Sequence, residues 1–265
     1  MPGTTNKKKN LFSEGLDAFF EDVAEISKFA VNVFREGISP PYEFREILNQ
    51  CYELGLKSLV LVGATAFILG LVLILQSRPT MVEFGAGSFL PAMSAISIVR
   101  EIGPLVTALI CAGKIGSGIS AELGSMKVTE QIDAMEVSGT NPFKYLAATR
   151  IIATTLMLPV LTVYADFISI LGAFVGANVK DEINIHFYFN RVFEALTFNA
   201  IIPSFTKTFF FGFAIGLVGC TKGYYSKKGT EGVGKAANAS VVISMLSVII
   251  IDMVVTQISS MLGYL

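Results

Sequence analysis

"SLVLVGATAFILGLVLILQ", residues 58–76, runs for 19 residues without one charged side chain. A bilayer's hydrocarbon core calls for roughly 20 apolar residues of helix, so this stretch reads as a membrane span. The rest of the chain has the same character. Of 265 residues, 52% are hydrophobic and 15% charged, against about 25% charged in a soluble domain, and mean hydropathy is +0.62. The composition predicts an all-α integral membrane protein.

Four further windows follow: Phe84 to Gly113 (interrupted by Arg100-Glu101), Ile151 to Val179 (by Asp166), Ala195 to Thr221 (by Lys207) and Ala236 to Leu265 (by Asp252). Five spans are expected, with kinks at Pro104, Pro159 and Pro203, where the helical ladder loses a donor. Basic residues collect before the first span (Lys7, Lys8, Lys9, Lys28, Arg35, Arg45, Lys57), after the second (Lys114, Lys127, Lys144, Arg150) and after the fourth (Lys222, Lys227, Lys228, Lys235). The alternate connections hold only Arg78 in one, and Lys180 and Arg191 in the other. That asymmetry predicts a cytoplasmic N-terminus and a C-terminus on the outer side.

Residues 1–56 read as a cytoplasmic or interfacial unit ahead of a five-span domain, 57–265. Phe12, Leu16, Phe19, Val23, Ile26, Ala30 and Val33 recur at steps of four and three, with Glu14, Asp17, Glu21, Asp22 and Glu25 mostly between them. Ser39-Pro40-Pro41 should stop this amphipathic helix. Phe44, Ile47, Leu48, Cys51 and Tyr52 form a second apolar face. Both pieces are expected in the headgroup layer, the alternative being a coiled coil or soluble cap. The acids at 14 and 17 break the opening's apolar stretch, which fits neither a secretory signal nor a transit peptide.

Charge is nearly balanced, 20 Lys+Arg against 21 Asp+Glu, so nothing points to a nucleic-acid partner. His186 is the only histidine, leaving no His-based triad or His-rich metal site. Cys51, Cys111 and Cys220 are far apart and expected at the reducing side, without a disulfide. No metal, catalytic residue or cofactor is expected in this chain.

Residues 114–150, "KIGSGISAELGSMKVTEQIDAMEVSGTNPFKYLAATR", form the most distinctive polar stretch. Its start fails the phosphate-loop pattern G-x-x-x-x-G-K-[ST], because the lysine precedes the glycines. Thr129 to Glu136 reads as a helix whose Val128, Ile132 and Met135 make an apolar stripe, ended by Gly, Asn and Pro in "SGTNPF". That stripe packs either on this chain's N-terminal helices or into a soluble partner.

The stretch Val99 to Arg150 resembles the central signature of the Mla-type permeases (MlaE/YrbE family). These are membrane subunits of ABC transporters that act on lipids with MCE-domain proteins. The likeness is dense in RE-x-GP (Arg100 to Pro104), AG-x-x-GS, AE-x-G-x-M (Ala121 to Met126) and TEQ-x-x-x-ME (Thr129 to Glu136). It extends more loosely over the first span, Lys207 and Asp252, and least over the first forty residues. The resemblance implies a homodimer in the inner membrane of a double-membraned bacterium, bound to a separate ABC ATPase that holds the ATP and Mg. It also implies a periplasmic MCE-domain protein, in some systems a small cytoplasmic accessory subunit, and a phospholipid as cargo. The loop after span two would be the coupling helix seated in the ATPase, with Glu122, Met126, Thr129, Glu130, Gln131, Asp133, Met135 and Glu136 as its contacts.

At about 1.5 Å per residue, Arg100 lies roughly 24 Å from Phe84 and Glu101 roughly 18 Å from Gly113, too deep to snorkel. A charge there costs about 2.5–3.5 kcal/mol or more. Neighbouring residues on a helix point about 100° apart, so each needs a partner on another span, on a second copy or on a lipid headgroup. The pair is either a polar element of a lipid-holding cavity at the dimer interface or a structural lock. Lys207 and Asp252 are expected to pair with each other, with gating as the alternative role. Asp166 is expected to bond Tyr164 or Ser169. Small residues from Gly103 to Gly124 suit close packing at a dimer axis or within one subunit. Pro104, Leu105, Leu109 and Leu73 are the named candidates for the cavity wall, with Leu71 and Leu75 beside them. The rival function is an ATPase-independent secondary transporter or channel using the intramembrane charges as a relay, although no internal repeat supports it. A scaffold without transport is a third reading. An enzyme fits least, because no cluster of His, Cys or paired carboxylates gathers at one membrane face.

Overall fold

The computed structural model describes residues 23–35, 43–179, 183–227 and 229–263. The expectations on Phe12 to Asp22, Lys7 to Lys9, the Ser39-Pro40-Pro41 stop and Lys180 lie outside the described residues. Among those described, the secondary structure is wholly helical. Helix α1 covers 23–35, followed by α2 (Phe44–Gly55), α3 (Leu59–Glu83), α4 (Leu90–Ser97), α5 (Gly103–Cys111), α6 (Ser117–Val128) and α7 (Gln131–Val137). Then come α8 (Thr149–Ala177), α9 (Ile185–Ala195), α10 (Phe198–Tyr224) and α11 (Thr230–Met261).

Five helical segments are long and apolar enough to cross a membrane: Phe44–Glu83, Gly87–Val128, Phe143–Ala177, Phe198–Tyr224 and Thr230–Met261. The expected number of spans is therefore met, but the segments outrun the charge-free windows. Helix α2 passes into α3 through a single tight turn, Leu56–Ser58, so the boundary drawn at residue 56 falls inside one helical segment. Its Phe44, Leu48 and Tyr52 are exposed, while Gln50 and Gly55 are buried. The second span likewise continues through a π-turn, Ala112–Gly116, into α6. Residues 114–150 are thus largely helical. Gly116 and Gly124 do not end the helix because they sit under neighbouring segments: Gly116 faces Ile215, Ser240 and Ser244, and Gly124 faces Ser226 and Val233.

Glycine sets the closeness of the core. A Cβ on Gly70 would lie 1.8 Å from the Ser169 carbonyl oxygen, and one on Gly172 would lie 2.2 Å from that of Phe67. Helices α3 and α8 therefore touch backbone to backbone, the geometry by which helices associate where burial of apolar surface gives no drive. Gly212 against Thr154 and Gly223 against Ser120 bring α10 onto α8 and α6 in the same way. Gly103, Gly116 and Gly124 contact α8, α10 and α11 of this same chain, so these three are used within one subunit, while a Cβ on Gly118 would meet nothing within 4 Å. Helix α11 is the least enclosed. It turns Ser240, Ser244, Val248 and Ser259 inward and leaves Val242, Leu246, Ile250, Met253 and Val254 exposed.

Candidate functional site

The second span changes pitch at its charged pair. Pro104 has no N–H, and its ring crowds the preceding turn. The chain answers with a π-turn over Ile98–Ile102, in which the Gly103 N–H reaches the Ile98 carbonyl. Such single wide turns concentrate at functional positions. The Val99 carbonyl loses its usual partner by this shift, and Ser204 Oγ on α10 donates to it at 2.5 Å.

The turn aims Glu101 at α10 and α11. Lys207 Nζ lies 2.7 Å from Glu101 Oε2 and 2.8 Å from Asp252 Oδ1. Thr256 donates its hydroxyl to Glu101 Oε1 at 3.2 Å. The lysine side chain is 3% exposed, Asp252 16% and Glu101 39%, so a buried cation is flanked by two carboxylates of rising exposure. The expected Lys207–Asp252 pair is present, and Glu101 joins it. Glu101 therefore finds a partner on another span of the same chain. Arg100, one residue earlier, makes no ion pair or hydrogen bond among the described residues. It lines a polar cavity of about 20 Å³ with Asn199, Ser204, Lys207 and Ser259, room for a single water.

Asp166 bonds neither Tyr164 nor Ser169. The Ser169 hydroxyl donates instead to the Ala66 carbonyl at 2.9 Å, across the close α3–α8 contact at Gly70. Asp166 Oδ1 is buried without a hydrogen-bond partner and lies where a Cβ on Gly103 would come within 1.7 Å. The candidate wall residues separate. Pro104 is buried, and Leu105 packs against the main core. Leu109 lines an open apolar groove of about 510 Å³ with Leu61, Val106, Gly113 and Met245. Leu73 belongs to a different cluster, around Ile74, Leu90 and Tyr188.

At the far end of the spans, α6 and α7 meet at a sharp corner. Glu130 adopts a left-handed conformation, φ 58°, which costs an L-residue about 1 kcal/mol or more. The single helix expected from Thr129 is thereby split, and α7 starts at Gln131. Gly139, φ 81°, then ends it as the composition predicts. Ile132 is fully buried and Met135 packs on the same cluster as Phe29 of α1, so the apolar stripe seats on this chain's own helices. Glu136 accepts from Tyr224 Oη at 3.1 Å. The rings of Phe29, Phe143 and Tyr224 stand 4.8–5.7 Å apart. Lys222 reaches Glu25 at 3.3 Å, tying α1 to the same junction. Burial, and after it the Glu25 carboxylate, raises the neighbouring Tyr225 phenol above its ordinary value.

Glu122 pairs with Arg150 at 2.8 Å, and Met126 packs partly into the core. The residues left on the open side are Thr129, Glu130, Gln131 and Asp133, the last held by Lys127 at 2.6 Å. Sequence reasoning missed Arg150 as a buried anchor, 3% exposed, with Nη1 donating to the Leu146 carbonyl at 3.0 Å. It also missed Tyr224. The one available signal for Arg150 was its place at the edge of a charge-free window.

Five apolar segments, close glycine contacts and an ion cluster held between three of them define a polytopic α-helical membrane protein. Residues 47–258 match the family model described as Permease MlaE. A probable ABC transporter permease protein of Rickettsia typhi is 34% identical over 94% of this chain and 96% of its own length. One of Synechocystis is 33% identical over 78% of each chain. The intermembrane phospholipid transport system permease protein MlaE of Haemophilus influenzae is 32% identical over 81% of this chain and 83% of its own. The chain belongs to the MlaE permease family.

Proposed function

We propose that this chain is the membrane subunit of an ABC transporter that moves phospholipid between the inner and outer membranes of a double-membraned bacterium. A separate ATPase, which holds the ATP and Mg, drives it. The chain works as a homodimer in the inner membrane, N-terminus cytoplasmic and C-terminus periplasmic, with an MCE-domain protein on the periplasmic side. A small cytoplasmic accessory subunit joins in some systems. The names of the Rickettsia and Haemophilus relatives support this reading, as does the clustering of basic residues before the first span and after the second and fourth. The exposed face of α11 and the open groove at Leu61, Leu109 and Met245 suit a second copy and the cargo's acyl chains.

One observation carries the mechanism: α10 joins the α7 corner to the ion cluster. Tyr224 holds Glu136 of α7, and Lys207 on the same helix holds Glu101 and Asp252. Their separation along α10 is about 25 Å of rigid helix. An ATPase that grips Thr129, Glu130, Gln131 and Asp133 and moves α7 would pull α10 against the cluster. Glu101 and Arg100 sit at the opening of that cluster, placed to meet a lipid headgroup. The test is reconstitution with the ATPase in lipid vesicles. Phospholipid should move only while ATP is hydrolysed. Transport driven by a proton gradient without ATP would establish the charge relay instead.

A further inference from the structure

A second apolar groove, of about 300 Å³, lies beneath α1 and away from the ion cluster. Its walls are Val33 and Phe34 of α1, Ile152 and Leu156 of α8, and Phe213 and Leu217 of α10. Thr155 also lines it, but its hydroxyl is occupied by the Ile151 carbonyl at 2.7 Å. Nothing in the wall offers a polar handle, which suits hydrocarbon and excludes a hydrophilic ligand.

Depth identifies the occupant. The first charged residues on the α7 side of these two helices are Arg150 and Lys222. Ile152 and Leu156 lie about 3–9 Å beyond Arg150, and Leu217 and Phe213 about 8–14 Å beyond Lys222. The groove thus sits in the outer part of one leaflet's hydrocarbon, about 15 Å deep in all. Its mouth opens on lipid: Phe34 is 54% exposed and Leu156 50%, and Val160 and Val163 continue the apolar strip along α8. An empty groove there would forfeit the dispersion contacts of every wall atom, and acyl chains are the molecules present at that depth.

We infer that this groove holds one acyl chain of a resident phospholipid from the leaflet on the α7 side. The lipid is a structural partner of α1 rather than transported cargo. Helix α1 is held at the α7 junction by Phe29 and the Glu25–Lys222 pair, and at its other end by Val33 in the main core and by Phe34 against the Phe213 ring at 5.7 Å. A chain in the groove adds to those contacts where α1 meets α8 and α10.

The test places a benzoylphenylalanine photo-crosslinker at Phe34, and at Val31 as a control, which is 64% exposed but lines no part of the groove. After detergent purification and washing, irradiation should give a single-phospholipid adduct at position 34 and none at 31, read by intact mass. Ala30→Trp, which fills the groove from α1, should lower that adduct at least fivefold. Leu156→Trp, at a half-exposed position that tolerates bulk, should do the same without touching α1. Equal labelling at 31 and 34, a detergent adduct alone at 34, or undiminished yield in both tryptophan variants would overturn the assignment. The experiment needs no ATPase, so its failure leaves the transport reading standing.

Discussion

Lys207 on α10 and Glu101 in the π-turn of the second span, 106 positions apart in sequence, meet at 2.7 Å, with Asp252 on the lysine's other side at 2.8 Å. The pairing makes the lysine the keystone of three spans. Lys207→Met strands two carboxylates at once and should cost about 3–5 kcal/mol, as breaking a buried pair does. Asp252→Asn leaves Lys207 with Glu101 and should cost about 1–3 kcal/mol. Thermal unfolding of the two variants in detergent orders them; an equal loss would mean that Glu101 contributes nothing to the cluster.

Ser204 is tied to the same turn. Its hydroxyl serves the Val99 carbonyl that the π-turn leaves over. Ser204→Ala removes that donor in a buried site and should destabilise by about 1–3 kcal/mol, with Ser204→Thr retaining most of the stability. Melting curves compare them directly.

The glycines divide by what faces them. Gly70→Ala drives a methyl into the Ser169 backbone, where neither helix can yield, and should cost at least the roughly 1–3 kcal/mol typical of overpacking. At Gly118 an added methyl would meet nothing within 4 Å, so Gly118→Ala should be neutral or stabilising by up to about 1 kcal/mol through helix propensity. Opposite signs are expected in one thermal-stability assay.

The α7 corner should separate binding from coupling. Glu130→Lys and Asp133→Lys, both on the open side, should lower capture of the ATPase subunit about tenfold or more, since like charges set against each other cost several kcal/mol. Tyr224→Phe removes only the bond to Glu136, about 1 kcal/mol. It should leave capture unchanged while lowering ATP-driven lipid movement. Pull-down and transport assays on the three variants distinguish the two roles.

The sequence was most legible where physics leaves few choices. A charge-free run of 19 residues can do little else than cross a bilayer, and opposite charges midway along two spans can find little else than each other, so the spans and the Lys207–Asp252 pair were both readable. Glu101's place beside Lys207 was not, because helical spacing assumes about 3.6 residues per turn and the π-turn at Pro104 breaks that count. The corner at Glu130 was hidden for a similar reason: glutamate favours helix, yet here its backbone is left-handed beside the core-packed Ile132 and Met135. Leu73 and Leu105 look alike in sequence, yet α3 carries Leu73 to a cluster that Leu105 never meets. The buried Arg150–Glu122 pair escaped because an arginine at a window's edge reads as a membrane boundary marker.

A transport subunit powered from outside should bring its motor and its cargo with it. Affinity purification of the tagged chain from its native membrane, with protein and lipid mass spectrometry of the eluate, tests that most directly. The prediction is an ABC ATPase in stoichiometric amount together with diacyl phospholipid, the ATPase reduced by Glu130→Lys and the lipid by Lys207→Met. A chain that elutes with neither an ATPase nor a phospholipid would contradict it.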